Sequence, residues 1–372
     1  MRIALIVPGG VDPSGEYRVI PALLALIRRL AMGNDLHVIA LNQGPLPAEW
    51  EWHGARIHNI GSRHTRLNAI RLLRSLHRQA RFDIVQAIWS NTCGFIAVTA
   101  GRLLGIPSAV HIAGGELVAL PDIAFGGRQT FRSRLREALV LRGAAAITAA
   151  SAPIIDSVTA LGFQARRLPL GVDLELWPPR APVRRQPGQV ARLIHVASLN
   201  GVKDQATLLR ALQTLSRSGT AFEIDIVGED TLHGRIQVLA AELGLVDRVR
   251  FRGFMTQRQW RPLAEQADLM ILTSRHEAGP LAVLEAAVVG VPTVGTAVGH
   301  IVEWAPGAAL SAPVGDQDGV AAAIRRLLDD EDLRLTIAGE ALRRATAEDA
   351  DYTARRFREL HESLRRPIAL GS

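Results

Sequence analysis

Cysteine and lysine are almost absent from this chain. Among 372 residues there is one cysteine, Cys93, so no internal disulfide can form and a reducing compartment is expected. Only one of the 43 basic residues is a lysine, Lys203, and the others are all arginines. In such a sequence the single lysine either has survived by chance or occupies a site that needs a compact ammonium. Lys203 is therefore a candidate site residue.

Long apolar runs and metal-ligand spacings are also missing from the sequence. No run of roughly 18 apolar residues occurs, so we expect no membrane-spanning helix. The first apolar run, Ile3 to Pro8, is broken at once by Gly9 and Gly10 and is too short for a signal peptide. No cluster of His, Cys, Asp or Glu has the spacing of a metal site. We therefore expect a cytoplasmic protein with no metal and no cofactor.

Positive charge is concentrated in the first half of the chain. Residues 1–178 contain 19 basic and 12 acidic residues, a net charge of +7, whereas residues 179–372 contain 24 of each. Part of this excess lies in residues 63–81, which predict an amphipathic helix with arginines on one face and leucines and alanines on the other. The arginines of that face are Arg63, Arg71, Arg74, Arg78 and Arg81.

Three interpretations of this basic helix are open. Its arginines could simply face solvent while the apolar side packs on a sheet. They could also contact anionic lipid headgroups, helped by Arg128, Arg132, Arg134 and Arg136, which would place the protein at the inner face of the plasma membrane. Nucleic acid is disfavoured because no aromatic residues interleave with the basic ones and no known binding module is present.

Strand-like apolar runs alternate with helical patterns along the whole chain, which is typical of α/β proteins with doubly wound parallel sheets. The length favours two domains. Residues 178–188 are too rich in proline for regular structure and indicate a linker. We predict a first domain at 1–177, a linker at 178–190, a second domain at 191–348 and a C-terminal segment at 349–372, with a helix from about Ala350 to Arg366.

The most informative stretch joins a buried strand, Ala267 to Leu272, to a short apolar helix. The turn between them contains Glu277, and Glu285 follows eight positions later inside the helix. Backbone amides at such a helix start bind anions at the carboxyl edge of an α/β sheet. Carboxylates do not favour an anion, so the two glutamates are expected to accept hydrogen bonds from hydroxyl groups. A sugar nucleotide offers both a diphosphate and hydroxyl-rich rings.

Residues 277–303 carry a family resemblance. Glu-x7-Glu is followed by Gly-Val-Pro-Thr-Val-Gly-Thr at 290–296 and by Val-Gly-His-Ile-Val-Glu at 298–303. This run resembles the donor site of the retaining GT-B glycosyltransferases of glycosyltransferase family 4, and further matches extend the resemblance over nearly the full chain. It implies two Rossmann-like domains that face a cleft, with a C-terminal helix that crosses back to the N-terminal domain. His300 departs from the family, which has a second glycine there.

The resemblance also implies roles for residues of the second domain. Lys203 would contact the donor diphosphate, Glu285 the ribose hydroxyls and Glu277 the hydroxyls of the transferred sugar. The family often has arginine where this chain has Ser198, five residues before Lys203, and Arg275 is the candidate for the missing charge. The remaining donor-site candidates are the backbone amides of Ala278, Gly279 and Leu281 at the diphosphate, and Gly228, Gly253 and Phe254 near the base.

Two candidates lie in the first domain. His111 stands at the end of a predicted strand, where a lone histidine is usually structural, although the family commonly has a histidine near the transferred sugar at the equivalent strand. Gly9 and Gly10 form a glycine-rich turn after the first strand, which is either an ordinary turn or an acceptor-side loop at the cleft. Together with Lys203 and Glu277, His111 completes the predicted catalytic set.

The resemblance thus implies a retaining glycosyltransferase. It would move a hexosyl unit from a nucleotide-sugar donor to a hydroxyl acceptor, a glycan or lipid-linked glycan, in bacterial polysaccharide, lipopolysaccharide or glycolipid biosynthesis. A non-hydrolysing sugar-nucleotide 2-epimerase of the same fold is an alternative and would turn over a donor without an acceptor. A non-catalytic sugar-binding or scaffold protein is another. A dinucleotide oxidoreductase is disfavoured because the G-x-G-x-x-G fingerprint is missing.

Overall fold

The computed structural model describes residues 1–365 and divides into two compact units. The first unit consists of residues 1–170 together with the C-terminal segment from residue 350. The second unit is Gly171–Asp349. Each unit has its own sheet, of eight strands in the first and six in the second.

The first unit is built on a sheet in which all neighbouring strands are parallel except one antiparallel hairpin at the edge, β3 with β4. The strand order is β3-β4-β2-β1-β5-β6-β7-β8. The strands are β1 (Arg2–Val7), β2 (Asp35–Ala40), β3 (Ala48–Trp52), β4 (Ala55–Asn59), β5 (Ile84–Ile88), β6 (Ser108–Ile112), β7 (Ala146–Ala149) and β8 (Arg166–Arg167).

Helices connect the parallel strands of the first unit. They are α1 (Pro21–Ala31), α2 (Thr65–Gln79), α3 (Thr92–Leu104), α4 (Phe131–Gly143) and α5 (Ala152–Ala160). The predicted basic helix is α2, which buries Ala69, Leu73 and Leu76 and exposes its arginines. Its amphipathic pattern was therefore sufficient to identify both the helix and its buried side.

The second unit is a doubly wound sheet in which all neighbouring strands are parallel. The strand order is β11-β10-β9-β12-β13-β14. The strands are β9 (Ala191–Val196), β10 (Phe222–Val227), β11 (Val249–Gly253), β12 (Leu269–Leu272), β13 (Thr293–Thr296) and β14 (Ala309–Ala312). The helices are α6 (Gln205–Arg217), α7 (Arg235–Glu242), α8 (Gln257–Ala264), α9 (Leu281–Val288), α10 (Gly299–Trp304), α11 (Gln317–Asp329) and α12 (Glu331–Ala347).

Both faces of the central strand β12 are covered, which explains why β12 is apolar throughout. Leu269 and Ile271 of β12 belong to one core cluster with residues of α6 and α11, whereas Met270 and Leu272 belong to another with residues of α9 and α10. Successive side chains of a strand point to opposite faces, so a strand buried on both sides needs a continuous apolar run. Such a run is what predicted β12.

The second unit begins earlier than the predicted domain boundary. Residues 171–177 were assigned to the first domain, but Val172 and Trp177 are buried in the core of the second unit. The rings of Trp177 and Trp260 lie 4.6 Å apart. Residues 178–190 contain no helix or strand, and the amide of Arg180 in this segment donates to the carbonyl of Val288 in the same unit at 2.9 Å. Core packing therefore set the boundary.

The last helix, α13 (Ala350–Leu364), belongs to the first unit. Its Phe357 is fully buried, and the hydroxyl of Thr353 donates to the carbonyl of Pro169 at 2.8 Å. His361 is also buried and lies 3.2 Å from the amide oxygen of Gln86. The predicted return of the chain to the N-terminal domain is thus confirmed, although the predicted end of the helix at Arg366 lies outside the described residues.

Candidate active site

The strand order of the second unit places two predicted loops side by side. From β9 the chain builds the sheet outwards through β10 and β11, and it then returns to the other side of β9 with β12, β13 and β14. The neighbours β9 and β12 therefore form the switch point, where open α/β sheets bind ligands outside the carboxyl ends of their strands. Lys203 follows β9 and Glu277 follows β12.

Lys203 and Glu277 form an ion pair at this switch point. The Lys203 Nζ atom lies 2.5 Å from Glu277 Oε1, and the Ser274 hydroxyl donates to the same oxygen at 2.6 Å. The lysine side chain is 24% exposed and the glutamate side chain 11%. The second carboxylate oxygen, Glu277 Oε2, has no hydrogen-bond donor among residues 1–365. The ammonium has three donors and Glu277 uses one, so the pair can still bind a ligand from both partners.

Backbone and hydroxyl contacts hold the two loops together. The Arg275 amide donates to the Val202 carbonyl at 2.7 Å, which brings the backbone of Arg275 beside the lysine loop. The hydroxyl of Thr273 donates to the carbonyl of Asp204 at 3.0 Å. The hydroxyl of Thr296 on β13 donates to the Ser274 carbonyl at 2.5 Å. Three strands therefore fix the position of Glu277.

An amide cluster lies next to the ion pair, at the start of α9. The amides of Ala278 and Gly279 have no acceptor among the described residues, and the amide of Leu281 opens the helix and has no intrahelical partner. Pro280 stands between them and has no N–H to contribute. Gly299 packs against this turn with φ +50°, and a Cβ there would come within 2.9 Å of Pro280. The helix start thus offers amide donors to an anion.

Glu285 is the most deeply buried acid of the site. It lies on α9, is 7% exposed, and its Oε1 accepts a hydrogen bond from the side-chain amide of Gln257 at the start of α8. Burial raises the pKa of Glu285 to about 7, while the hydrogen bond from Gln257 opposes this change. Sequence reasoning did not find Gln257, because nothing in the local pattern places residue 257 beside residue 285.

Predicted base-side residues come together at the ends of β9, β10 and β11. The amide of Gly228 donates to the Gly253 carbonyl at 2.9 Å. A Cβ on Gly228, whose φ is +155°, would lie 2.0 Å from the carbonyl oxygen of Ala197 and 2.9 Å from the amide nitrogen of Ser198. Phe254, just after β11, is 55% exposed. The close approach of the β9 and β10 loops therefore requires glycine at position 228.

His300, which replaces the family's second glycine, lies in the first turn of α10. It is 1% exposed and stacks on Trp304 with ring centroids 5.9 Å apart. Its Nδ1 atom is 3.7 Å from Glu303 Oε2. The glycine that contacts the Glu277 turn is Gly299, which this chain keeps.

The two candidates of the first unit have different surroundings. His111 lies inside β6, is fully buried, and contacts the Thr148 hydroxyl at 2.9 Å and the Phe357 ring. Burial lowers the pKa of His111 to about 3. Its expected contact with the transferred sugar stays a prediction, and it would require the covering side chains to move. Gly10 has φ +79°, and a Cβ there would lie 2.6 Å from the Ile20 side chain.

Neither a metal centre nor a membrane span emerges from the described part of the chain. Among residues 1–365, no group of three or more His, Cys, Asp and Glu side chains is arranged to hold a metal ion. No helix within the same residues is long and apolar enough to cross a membrane.

Comparisons with known proteins agree with this geometry. The sequence pattern of the glycosyl transferases group 1 matches residues 182–344, and that of the glycosyl transferase 4-like domain matches residues 18–171. This chain belongs to the group 1 glycosyltransferases. The predicted resemblance to family 4 is thereby confirmed, and each of the two matches falls largely within one unit of the structure.

Curated relatives of this glycosyltransferase match over part of their length. The amylovoran biosynthesis glycosyltransferase AmsK of Erwinia amylovora is 28% identical over 48% of this chain and 45% of its own. The putative glycosyltransferase EpsF of Bacillus subtilis is 28% identical over 57% of both chains. The chain thus spans about half the length of the curated relatives it matches.

Solved structures establish the fold. Sucrose-phosphate synthase from Thermosynechococcus elongatus superposes with a TM-score of 0.77 at 17% identity, covering 98% of this chain and 99% of that protein. Anabaena HepE, solved in complex with UDP and glucose, gives a TM-score of 0.74 at 18% identity, covering 98% and 100%. The glycosyltransferase has the predicted GT-B fold of two Rossmann-like units.

Proposed function

We propose that this glycosyltransferase transfers a hexosyl unit from a nucleoside-diphosphate sugar to a hydroxyl acceptor, with retention of anomeric configuration and without a metal. The supporting observation is the Lys203–Glu277 pair beside the amides of the α9 start, at the switch point of the second sheet. This arrangement combines hydrogen-bond donors for a diphosphate, the ammonium and the amides, with a carboxylate that can accept hydrogen bonds from hydroxyl groups.

The chemistry assigned to each donor-site group follows from its charge and contacts. The Lys203 ammonium and the amides of Ala278, Gly279 and Leu281 would stabilise the negative charge that develops on the leaving diphosphate. Glu277 Oε2 would accept hydrogen bonds from the transferred sugar, while its Oε1 keeps the lysine oriented. Glu285 would accept hydrogen bonds from the ribose hydroxyls. In this scheme Glu277 is not a nucleophile, and the leaving phosphate assists the acceptor hydroxyl on the same face of the sugar.

The acceptor is proposed to be a glycan or lipid-linked glycan of a bacterial polysaccharide pathway. The names of the relatives support this class, since AmsK acts in amylovoran biosynthesis and other relatives are putative colanic acid glycosyltransferases. A membrane-borne acceptor would also account for the exposed arginines of α2 and for the exposed apolar residues of α4, which are Phe131, Leu135 and Leu139.

A thermal-shift panel of the purified chain against UDP-, GDP-, ADP- and dTDP-glucose tests the donor site. A ligand at a hundred times its dissociation constant stabilises a protein by about 2.7 kcal/mol, which raises the melting temperature measurably. We expect one nucleotide sugar to stabilise the wild type. Lys203→Ala should weaken binding by roughly tenfold to a hundredfold, because a charge-assisted hydrogen bond is worth about 1.5–3 kcal/mol.

Arg210→Ala is the matched control, since it removes one exposed positive charge from α6 of the same unit and should bind the donor as the wild type does. If no nucleotide sugar shifts the melting temperature, the transferase proposal fails and a non-catalytic role gains support. Conversion of the bound donor to its 2-epimer in the absence of any acceptor would favour the epimerase instead.

A further inference from the structure

Trp89, in the turn between β5 and α3, has a backbone conformation that tryptophan rarely adopts. Its φ is +72°, in the left-handed region. That region costs an L-residue roughly 1–2 kcal/mol and is unusual for a bulky side chain. The turn holds this conformation from both sides: the amide of Trp89 donates to the His111 carbonyl at 2.8 Å, and its carbonyl accepts from the Gly94 amide at 3.1 Å.

Two buried carboxyl groups fix the residue that follows Trp89. The Ser90 hydroxyl donates to Glu137 Oε1 at 2.7 Å, and the Ser90 amide donates to Glu116 Oε1 at 3.2 Å. Glu116 also accepts from the amides of Ala113 at 3.2 Å and Gly114 at 2.7 Å, so it ties the turn after β5 to the turn after β6. Strained residues held this firmly are found mainly at binding and catalytic sites.

The strand order places Trp89 at the ligand-binding edge of the first unit. From β1 the chain builds the sheet through β2 and β4 on one side and then through β5, β6 and β7 on the other. The carboxyl ends of β1 and β5 therefore form the switch point of this sheet, as those of β9 and β12 do in the second unit. The glycine turn at Gly9 and Gly10 follows β1, and Trp89 follows β5 directly.

The indole ring is only half-buried and keeps a donor available. Its pyrrole edge packs over Gly114, where a Cβ would lie 3.0 Å from Trp89 Nε1. Among residues 1–365, no acceptor contacts the Trp89 N–H, and unlike the unpaired N–H groups of Trp50, Trp52 and Trp177 it is not buried. An indole presents an apolar face beside a hydrogen-bond donor. A pyranose ring presents C–H groups beside hydroxyl oxygens, which is the complementary pattern.

We propose that Trp89 is a carbohydrate-binding residue that contacts a pyranose ring of the acceptor. The inference rests on the proposed transfer reaction and adds a residue that decides which acceptor sugar is accepted. The acceptor ring, rather than the ring of the donor, is the occupant because the groups assigned to the donor in the proposed reaction all belong to the second unit, whereas Trp89 belongs to the first. Those groups are Lys203, Glu277, Glu285 and the amides at the start of α9.

Fluorine NMR of the full-length protein labelled with 5-fluorotryptophan tests this contact. The chain has six tryptophans, so Trp89→Phe identifies the Trp89 signal by its loss from the spectrum. The labelled protein is titrated with methyl glycosides of glucose, galactose, mannose and N-acetylglucosamine, and separately with UDP-glucose. We expect at least one methyl glycoside to shift the Trp89 signal saturably while the signals of buried tryptophans such as Trp177 stay in place.

Two substitutions separate ring contact from a structural role. Trp89→Leu removes the aromatic face and should weaken binding of the shifting glycoside about tenfold, whereas Trp89→Phe retains most of the affinity. Affinity for UDP-glucose should stay within twofold in both, roughly the limit of a change that leaves the donor site intact. Trp50→Leu, at the half-buried tryptophan of the edge strand β3, is the matched control and should bind the glycoside normally.

The possible failures are distinct. If no methyl glycoside moves the Trp89 signal, the assignment of Trp89 is wrong, while stabilisation by a nucleotide sugar would leave the proposed reaction intact. If only UDP-glucose moves the signal, and Lys203→Ala abolishes the shift, the occupant is the donor sugar and the acceptor assignment is overturned. If neither a glycoside nor any nucleotide sugar binds, the proposed function fails together with this inference.

Discussion

At the scale of single residues, Glu285 shows a conflict between burial and charge. Its carboxyl group is buried on α9, and burial raises its pKa to about 7 from an ordinary value of 4.5. The unfolded chain releases this proton at a lower pH than the folded chain does, so the folded state loses stability as pH rises from about 4.5 to 7. A hydroxyl-rich ligand that donates to the carboxylate would offset part of this loss.

Glu285→Gln should therefore stabilise the unliganded protein, and more strongly at pH 8 than at pH 5. Each unit of pKa difference corresponds to about 1.4 kcal/mol, so the gain at pH 8 is expected to reach roughly 3 kcal/mol in free energy of unfolding. Urea denaturation at both pH values measures this gain. Glu242→Gln, at an exposed position of α7, is the control. An equal effect of Glu285→Gln at the two pH values would contradict the raised pKa.

Gly228→Ala should damage the donor site through the backbone. The new Cβ would lie 2.0 Å from the carbonyl oxygen of Ala197, and backbone cannot move aside as a flexible side chain can. We expect a loss of about 1–3 kcal/mol in stability, similar to other overpacked sites, together with weaker nucleotide-sugar binding. Gly219→Ala is the control. Gly219 also has a positive φ, +81°, but a Cβ there would lie in open space, so the substitution should cost about 1 kcal/mol. Comparable losses in the two variants would show that conformation alone, rather than the close approach, requires Gly228.

At the scale of elements, two helices of the first unit have unusual exposed surfaces: α4 exposes large apolar side chains, and both α2 and α4 expose arginines. Helix α4 exposes Phe131 by 78%, Leu135 by 53% and Leu139 by 48%, at i, i+4 and i+8 on one side of the helix. Exposed arginines, Arg132, Arg134 and Arg142, stand among them, and α2 adds further arginines. The positive charges complement an anionic lipid surface, while the apolar side chains can enter it.

We predict that the protein binds phosphatidylglycerol vesicles and not phosphatidylcholine vesicles, and that salt weakens the binding. Replacing Arg71 and Arg74 by Gln should lower vesicle binding roughly thirtyfold, at about 1 kcal/mol per basic residue. Phe131→Ser with Leu135→Ser should also lower it, whereas Val238→Ser, at an exposed apolar position of the second unit, should not. Vesicle flotation measures the bound fraction, and equal binding to both lipids would exclude an electrostatic membrane contact.

At the scale of the whole molecule, buried titrating groups are distributed unequally between the two units. The first unit buries His37, His111 and His361, and burial lowers the pKa of these to about 4, 3 and 4. Two glutamates of the same unit oppose them, because burial raises the pKa of Glu116 and raises that of Glu137 to about 7. In the second unit burial lowers the pKa of His195 to about 4, raises the pKa of Glu285 to about 7 and also raises the pKa of Asp268.

Acidification from pH 7 to pH 5 should therefore destabilise the first unit more than the second. A histidine with lowered pKa gains its proton only on unfolding, so stability falls as pH drops below 6.5, by about 1.5–2 kcal/mol per histidine at pH 5. A glutamate with raised pKa has the opposite sign over the same window. Calorimetry should show a larger fall for the first unit, and a bound nucleotide sugar identifies the transition of the second. His361→Gln should reduce the acid sensitivity, and equal shifts of both transitions would contradict this distribution.

The sequence by itself determined the fold class and the family, and it identified most of the residues that the structure brings together at the candidate donor site. Apolar runs and amphipathic patterns are local signals, and they located β12 and α2 because the residues that each element buries can be recognised from its own sequence. The Glu-x7-Glu run and the single lysine could also be identified from the sequence. Each lies in one continuous strand-turn-helix unit, so its position relative to the strand can be predicted locally. Because the carboxyl ends of parallel strands meet at one edge of a sheet, the loops that contain Lys203 and Glu277 were expected at the same edge.

Contacts between residues distant in sequence were decided only by the tertiary structure. The sequence near Glu285 does not predict its hydrogen bond with Gln257, and the sequence near Glu277 does not predict that Thr296 holds the same turn. Likewise, His111 packs against Phe357, which comes from the far end of the chain. The boundary at Gly171 was set by the packing of Trp177, and the backbone conformation of Trp89 is held by a hydrogen bond to the His111 carbonyl on β6. The physical reason is that pairing partners, burial and pKa depend on which elements the sheet order brings together, and a local pattern specifies an element but not its neighbours.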